Sequence, residues 1–279
     1  MSFKSLEVTL ENHIAHVKLN RPEALNSMNV DFWQEFPAAI REINEQAEAR
    51  VIVLSSTGKH FCAGMDLAVF TSGNSLPMSG DPIRMAENLR RAVLQLQEAF
   101  NVLEDARIPV LSAIHGGCIG GAVDMVCASD SRYCTEDAFF TIKETQLGMT
   151  ADLGTLQRLP HLIPHGIMRE LAYTGRKFDA AEAKEIGLVN KVFASQEAML
   201  EGVMNIAAEI AKNSPVAVAG CKEMINYSRD HSVADSLKYM ATWQSGMFRP
   251  QDMMKCFQAK AMKKDPEFDP LMPIKPLFS

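Results

Sequence analysis

Two short apolar runs limit the folds open to this chain. Val51-Ile52-Val53-Leu54 and Val110-Leu111-Ser112-Ala113-Ile114 lack the alternation of a strand with one wet face. Each therefore predicts a strand covered on both sides. Helical patterns lie between and around them. From about Val30 to Ala49, the residues Trp33, Phe36, Ile40 and Ile43 share one face, and Pro37 is expected to bend the early part. Leu89, Val93, Leu96, Phe100 and Leu103 mark a second helix. Two alternating strands open the chain, through Leu6, Val8 and Leu10 and then Ala15, Val17 and Leu19. Asp179 with Glu182 forms a capping box for a helix ending near Gly187, and Leu188 to Phe193 reads as a strand. From about residue 197 the pattern is helical almost to Met262, and the last stretch, Asp265 to Ser279, has four prolines and reads as a tail. Leu67 to Ile83, rich in Gly, Ser and Pro, reads as a mobile loop. The fold class is α/β, with a core over residues 1–196 and an appended helical region over residues 197–279.

Composition narrows the function classes. A chain of 279 residues with 47% hydrophobic content can bury a large core. Its net charge of -6 argues against nucleic acid or an anionic membrane surface as partner. No apolar run approaches the roughly 20 residues that span a bilayer. The six cysteines form no C-x-x-C pair and read as reduced thiols. His115 and His161 show no metal-ligand spacing to the acids. No Gly-x-Ser-x-Gly elbow, P-loop or dinucleotide fingerprint occurs.

Three acids stand in unusual company. Asp124 follows Gly120-Gly121-Ala122-Val123, Glu144 follows the apolar run Ala138 to Ile142, and Asp152 sits between Gly148 and Gly154. Carboxyls in apolar, glycine-lined ground have shifted proton affinities and can move protons near neutral pH. Each also has a plain structural reading: a charge favouring a helix N-terminus for Asp124, an ion pair with Lys143 for Glu144, a cap after Thr150 for Asp152. Two loops, Ala63-Gly64-Met65-Asp66-Leu67 and Gly120-Gly121-Ala122, follow apolar strands. They are either ordinary tight turns or, because glycine permits close backbone approach, a pair of amides aimed at one oxygen.

Further marks fall in order: Asn20-Arg21-Pro22 with Leu25-Asn26-Ser27-Met28, then Phe61-Cys62-Ala63-Gly64-Met65-Asp66-Leu67, then His115-Gly116-Gly117-Cys118-Ile119-Gly120-Gly121. Over nearly its full length the chain resembles the crotonase (enoyl-CoA hydratase/isomerase) superfamily. Asp124, Lys143-Glu144, Ala151-Asp152-Leu153-Gly154-Thr155 and Ser228-Arg229-Asp230-His231 make it most similar to the Δ3,5-Δ2,4-dienoyl-CoA isomerases. Hydratases usually carry glutamate where this chain has Asp124 and lack an acid matching Asp152.

The resemblance implies a spiral of strand-strand-helix turns with a C-terminal helical region that makes trimers, commonly stacked to hexamers. It implies an acyl-CoA thioester as ligand and no other cofactor, no metal, no nucleic acid and no membrane. The thioester oxygen would sit between the Met65 and Gly121 amides, with Ala122 adjacent. The loop Ala63, Gly64, Met65, Asp66 and Leu67 would line CoA, with Arg21 and Ala24 as further contacts. Glu144 would take a proton from C2, Asp152 would deliver one at C6, and Asp124 would tune both in fatty-acid β-oxidation. The ending Pro276-Leu277-Phe278-Ser279 is no peroxisomal tripeptide and no signal or transit segment is seen, so the expectation is a bacterial cytoplasmic enzyme. The alternative activity is 2-enoyl-CoA hydration. An RNA-binding protein on the same scaffold conflicts with the negative charge, and a catalytically silent scaffold has no use for three acids.

Overall fold

The computed structural model describes residues 3–71 and 81–275. Strands β1 (Leu6–Glu11) and β2 (Ile14–Leu19) form a hairpin. Its two-residue turn, Asn12-His13, has φ of 51° and 63°, as a type I′ turn requires. Helix α1 (Val30–Gln46) begins where the Asn29 side chain accepts from the Phe32 amide, and it stops three residues short of the predicted end, at Ala47 with φ 59°. Strand β3 (Val51–Ser56) is buried at all six positions. The loop expected over Leu67 to Ile83 is helical at both ends, as the short α2 (Leu67–Thr71) and the start of the long α3 (Pro82–Asp105), capped by Asp81; its residues 72–80 lie outside the described residues. Next come β4 (Val110–Ile114), β5 (Gly117–Ile119), α4 (Gly121–Cys127), β6 (Ser131–Thr135) and β7 (Phe139–Thr141).

The segment after β7 turns through α5 (Thr155–Arg158) and α6 (His165–Thr174) to β8 (Phe178–Asp179) and α7 (Ala180–Glu185). Asp179 caps α7 by accepting from the Glu182 amide, as the capping box predicts. The strand expected from Leu188 is shorter, β9 (Lys191–Phe193), because the Leu188 and Val189 amides still bond to the Ala183 carbonyl at the end of α7.

The main sheet runs β1-β2-β3-β4-β6-β9, parallel from β2 onward, and β5-β7-β8 make a second small sheet. Alternate residues of the central strands supply separate clusters on the two faces. Ile52, Leu54, Val110 and Ile114 meet Phe32, Phe36, Ile40, Phe100 and Leu103 of α1 and α3. Val51, Val53, Leu111 and Ala113 meet α8 (Gln196–Ala211) through Met199, Val203 and Ala207, spaced four apart. Two covered faces explain why these strands read as unbroken apolar runs.

Three helices follow, α9 (Pro215–Asp230), α10 (Val233–Met247) and α11 (Pro250–Ala261). Lys222 fastens α9 to the core: it is 6% exposed, donates to the Leu103 carbonyl at 2.6 Å and pairs with Asp130 at 2.8 Å. The helices enclose an apolar groove of about 550 Å³ lined in part by Met224, Met240, Trp243, Met247 and Met253. Ile225 on the groove, and Leu237 and Phe257 outside it, are exposed. The expected tail is not loose over its described part. Phe268 is buried, and the Ile274 amide bonds to the Glu45 carbonyl at 2.8 Å. Among the described residues no helix is long and apolar enough to cross a membrane.

Candidate active site

Two loops that read as separate in sequence touch in the fold. Cys62 and Cys118 form a parallel bridge, with the Cys62 amide on the Gly117 carbonyl and the Ile119 amide on the Cys62 carbonyl. Met28 braces the first loop from the other side, donating to Gly64 and accepting from Asp66. Gly64 has φ 88°, and a Cβ there would stand 2.7 Å from the Ile119 carbonyl oxygen and 3.7 Å from the Gly121 nitrogen. No L side chain fits that approach. Gly121 then opens α4, where a first-turn amide has no intrahelical acceptor. Among the described residues neither the Met65 amide nor the Gly121 amide donates to a protein acceptor. The contact sets two unengaged donors on adjoining loops.

The same contact gathers the three acids. All seven residues of α4 are buried, and Asp124, in its first turn, is 1% exposed. Its Oδ1 accepts from the Thr155 amide at 2.6 Å. Burial raises its pKa to about 7; the Thr155 amide opposes that rise, and the nearby charges of Glu144 and Asp152 add to it. Glu144 opens the short turn Glu144–Leu147, three residues past the end of β7. Its Oε1 lies 3.1 Å from where a Gly120 Cβ would stand, and its Oε2 is buried without a hydrogen-bond partner. Burial first, and then the charge of Asp152, raise its proton affinity. Lys143 is no partner for it, since that ammonium donates to Gln146. Asp152 is the exposed member, and partial burial raises its pKa too. It does not cap the next helix, whose N-cap is Gly154.

The loop residues expected to meet CoA form one connected patch. Arg21 lies 3.4 Å from Asp66 and donates to the Ser27 carbonyl at 2.6 Å. Asp66 accepts from the Ser27 hydroxyl and, capping α2, from the Ala68 amide. Ala24 closes the turn Pro22–Ala24, and the Ala63 amide reaches back to the Leu25 carbonyl. Leu67 is 71% exposed at the start of α2. Ala122, expected as a further ligand contact, is fully buried within α4, backbone included, and presents no exposed surface to a ligand.

Sequence reading assigns no role to Gln97, whose side chain donates to the Asp152 carbonyl at 2.6 Å. A glutamine on a helix 55 positions away leaves no local signal of that contact. Among the described residues no group of three or more His, Cys, Asp or Glu side chains is placed to hold a metal ion. His115 is turned to the Gly58 carbonyl.

Two touching glycine loops thus present free amides beside three acids, and comparison with known proteins defines the class. The enoyl-CoA hydratase/isomerase family model matches residues 9–270, and the chain belongs to that family. Within it the chain is 47% identical to the mitochondrial Δ(3,5)-Δ(2,4)-dienoyl-CoA isomerase of Homo sapiens, over 95% of this chain and 81% of that protein. It is 45% identical to the peroxisomal Δ(3,5)-Δ(2,4)-dienoyl-CoA isomerase of Arabidopsis thaliana, over 96% of this chain and 98% of that one. Among solved structures, an enoyl-CoA hydratase from Bacillus anthracis superposes with a TM-score of 0.86 at 32% identity, covering 95% of this chain and 99% of that one. The crotonase fold is thus established. The expectation of a cytoplasmic enzyme is overturned, because these isomerases are named for mitochondria and peroxisomes.

Proposed function

We propose that the chain converts a 3,5-dienoyl-CoA into the 2,4-dienoyl-CoA. One observation carries the reading: three mutually coupled carboxyls, graded from fully buried to exposed, adjoin two unengaged backbone amides. The thioester oxygen binds between the Met65 and Gly121 amides. These donors stabilise the charge that grows on oxygen when C2 loses its proton, and one such donor is worth about 3–4 kcal/mol in enzymes of this kind. Glu144 is the base. Its buried Oε2 makes no hydrogen bond, and the proton affinity that burial raises makes its ionised form a stronger base than a solvated carboxylate. The electron pair of the broken C2–H bond spreads through the conjugated chain to C6. Asp152 donates its proton to C6, which leaves double bonds at C2–C3 and C4–C5. Glu144 then gives up the proton taken from C2 to solvent, and Asp152, being exposed, regains one from solvent, which restores both carboxyls for the next turnover.

Asp124 sits between these tasks. A pKa of about 7 lets it carry a proton at neutral pH, so the site avoids three adjacent negative charges. Arg21, Ala24 and the Ala63-to-Leu67 loop hold the CoA portion, which belongs to the substrate and is the only cofactor chemistry required. The reaction serves fatty-acid β-oxidation. Residues 1–196 form the spiral that carries the site, and residues 197–279 assemble trimers or hexamers; the exposed Ile225, Leu237 and Phe257 of α9 to α11 support that assembly.

The test is to mix the purified protein with a 3,5-dienoyl-CoA and follow the near-ultraviolet band of the conjugated 2,4-dienoyl thioester, with a 2-enoyl-CoA in parallel. Growth of the band with little loss of the enoyl substrate is expected. Absence of the band, with hydration of the enoyl substrate, would move the chain to the hydratases and leave Asp152 without a task.

A further inference from the structure

Asp152 differs from the other acids in how it is held. Asp124 is fixed by its burial within α4, and Glu144 stands three residues past strand β7 in a short helical turn. Asp152 lies on an exposed loop, so its aim depends on what grips the loop backbone. One acceptor and two donors grip it. From inside, the Asp124 carboxyl receives the Thr155 amide at 2.6 Å. From outside, Gln97 of α3 donates to the Asp152 carbonyl at 2.6 Å, and Arg158 donates to the Leu153 carbonyl at 3.4 Å.

Arg158 is itself locked. Its Nε meets Glu104 at 2.8 Å and its Nη2 meets Asn101 at 2.7 Å, while Glu104 also pairs with Arg229 of α9. Gly154 has φ 131°, and a Cβ there would fall 1.9 Å from Arg158 Nη1. The guanidinium therefore lies directly over the Gly154 backbone, where any side chain would displace it. The planar fork engages Asn101, Glu104 and the loop at once, which a lysine cannot do. These groups surround a polar cavity of about 400 Å³ on the outer side of the loop.

We infer that Gln97 and Arg158 are positioning residues for the Asp152 carboxyl: they clamp the backbone of residues 152–154 from α3 and from the far side of the loop, and so aim the acid at C6. The inference rests on the isomerase reading above. Proton removal at C2 belongs to Glu144 on a separate segment, so loosening the clamp slows C6 protonation and spares C2 exchange. A misplacement on the order of 1 Å in a reacting group can cost about 100-fold in rate.

The experiment compares wild type with Gln97→Leu and Arg158→Lys in deuterated solvent, recording both C2 hydrogen exchange and 2,4-dienoyl-CoA formation from a 3,5-dienoyl-CoA. Wild type must do both; if it forms no 2,4-dienoyl product, the isomerase reading itself fails, whatever the variants do. Given that product, Gln97→Leu is expected to lower kcat for isomerisation about 10–100-fold while KM and C2 exchange stay within about 2-fold. Arg158→Lys follows in the same direction. In an Asp152→Asn background, Gln97→Leu costs nothing further, because its effect runs through that carboxyl. Equal loss of exchange and isomerisation in Gln97→Leu, or loss of neither, overturns the inference. So does an additive effect in the double variant. Gln97 is only partly buried, so its variant folds and keeps the test decisive even where Arg158→Lys lowers stability.

Discussion

Helix α4 and the loop from Gly148 to Gly154 each carry one acid of the site, yet they are built in opposite ways. In α4 every residue is buried, so Asp124 has lost nearly all contact with water. In the loop Asp152 stays exposed and its backbone is gripped by side chains from other elements. In the proposed mechanism the same functional group thereby takes two roles. A carboxyl sealed in apolar ground can hold a proton at neutral pH and cannot trade it quickly with solvent. A carboxyl on an open loop can reload from water after every turnover, at the expense of a fixed aim. Glu144 stands between them, half-buried, with one oxygen sealed off and without a partner.

The largest effect that tests this contrast is expected at Glu144. Glu144→Gln removes the proposed base and should lower isomerisation by about 10²–10⁴-fold. It should stop C2 exchange with deuterated solvent to the same degree. Continued exchange in that variant would assign the base to another group. Asp152→Asn comes next: turnover falls on a similar scale, but acyl-CoA binding is kept and C2 exchange continues. Unchanged turnover in Asp152→Asn would sink the division of labour between loop and helix.

A smaller loss is expected where the two amide-bearing loops meet. Gly64→Ala forces a Cβ within 2.7 Å of the Ile119 carbonyl at a φ of 88°, so the loop must move away from Gly121. Loss of one aimed amide predicts a fall in kcat of about 10²–10³-fold. Because Glu144 and Asp152 are untouched, the pH profile of the remaining activity should keep its shape. A changed profile would mean that the loop contact also sets the acids.

How much of this was legible before the fold follows from the same contrast. Ile52, Leu54, Val110 and Ile114 are buried by covering helices, and burial on both faces leaves a bare apolar run that can be read directly. Asp124 is legible for a related reason, since its apolar neighbours in sequence are also its surroundings in space. Strand β6 was missed because Ser131-Arg132-Tyr133 carries no apolar pattern; Arg132 is buried only because the Leu188 and Ser129 carbonyls, at 2.8 and 2.6 Å, satisfy its guanidinium. Strand β5 hides in glycines that read as a turn. Glu144, Asp152 and the two glycine loops stand out in sequence, but their meeting rests on pairings such as Cys62 with Cys118. The grip of Gln97 on Asp152 crosses from α3 to the loop and leaves no local trace.

The subtlest test reads stability rather than turnover. Burial raises the folded-state pKa of Asp124 from the ordinary 3.8 to about 7. Between those values the folded chain keeps a proton that the unfolded chain has released, so unfolding releases a proton and stability falls as pH rises. The contribution of this group is fully present below its unfolded pKa and lost as pH climbs through about 7. Asp124→Asn preserves an acceptor for the Thr155 amide and removes the titration. The difference between variant and wild type should therefore grow in the variant's favour from pH 5 to pH 8, by on the order of 1–3 kcal/mol given about 1.4 kcal/mol per pKa unit. Thermal or urea melts across that range measure it. A constant difference would show that Asp124 ionises as freely in the fold as in water, and that burial in α4 sets its position without setting its charge.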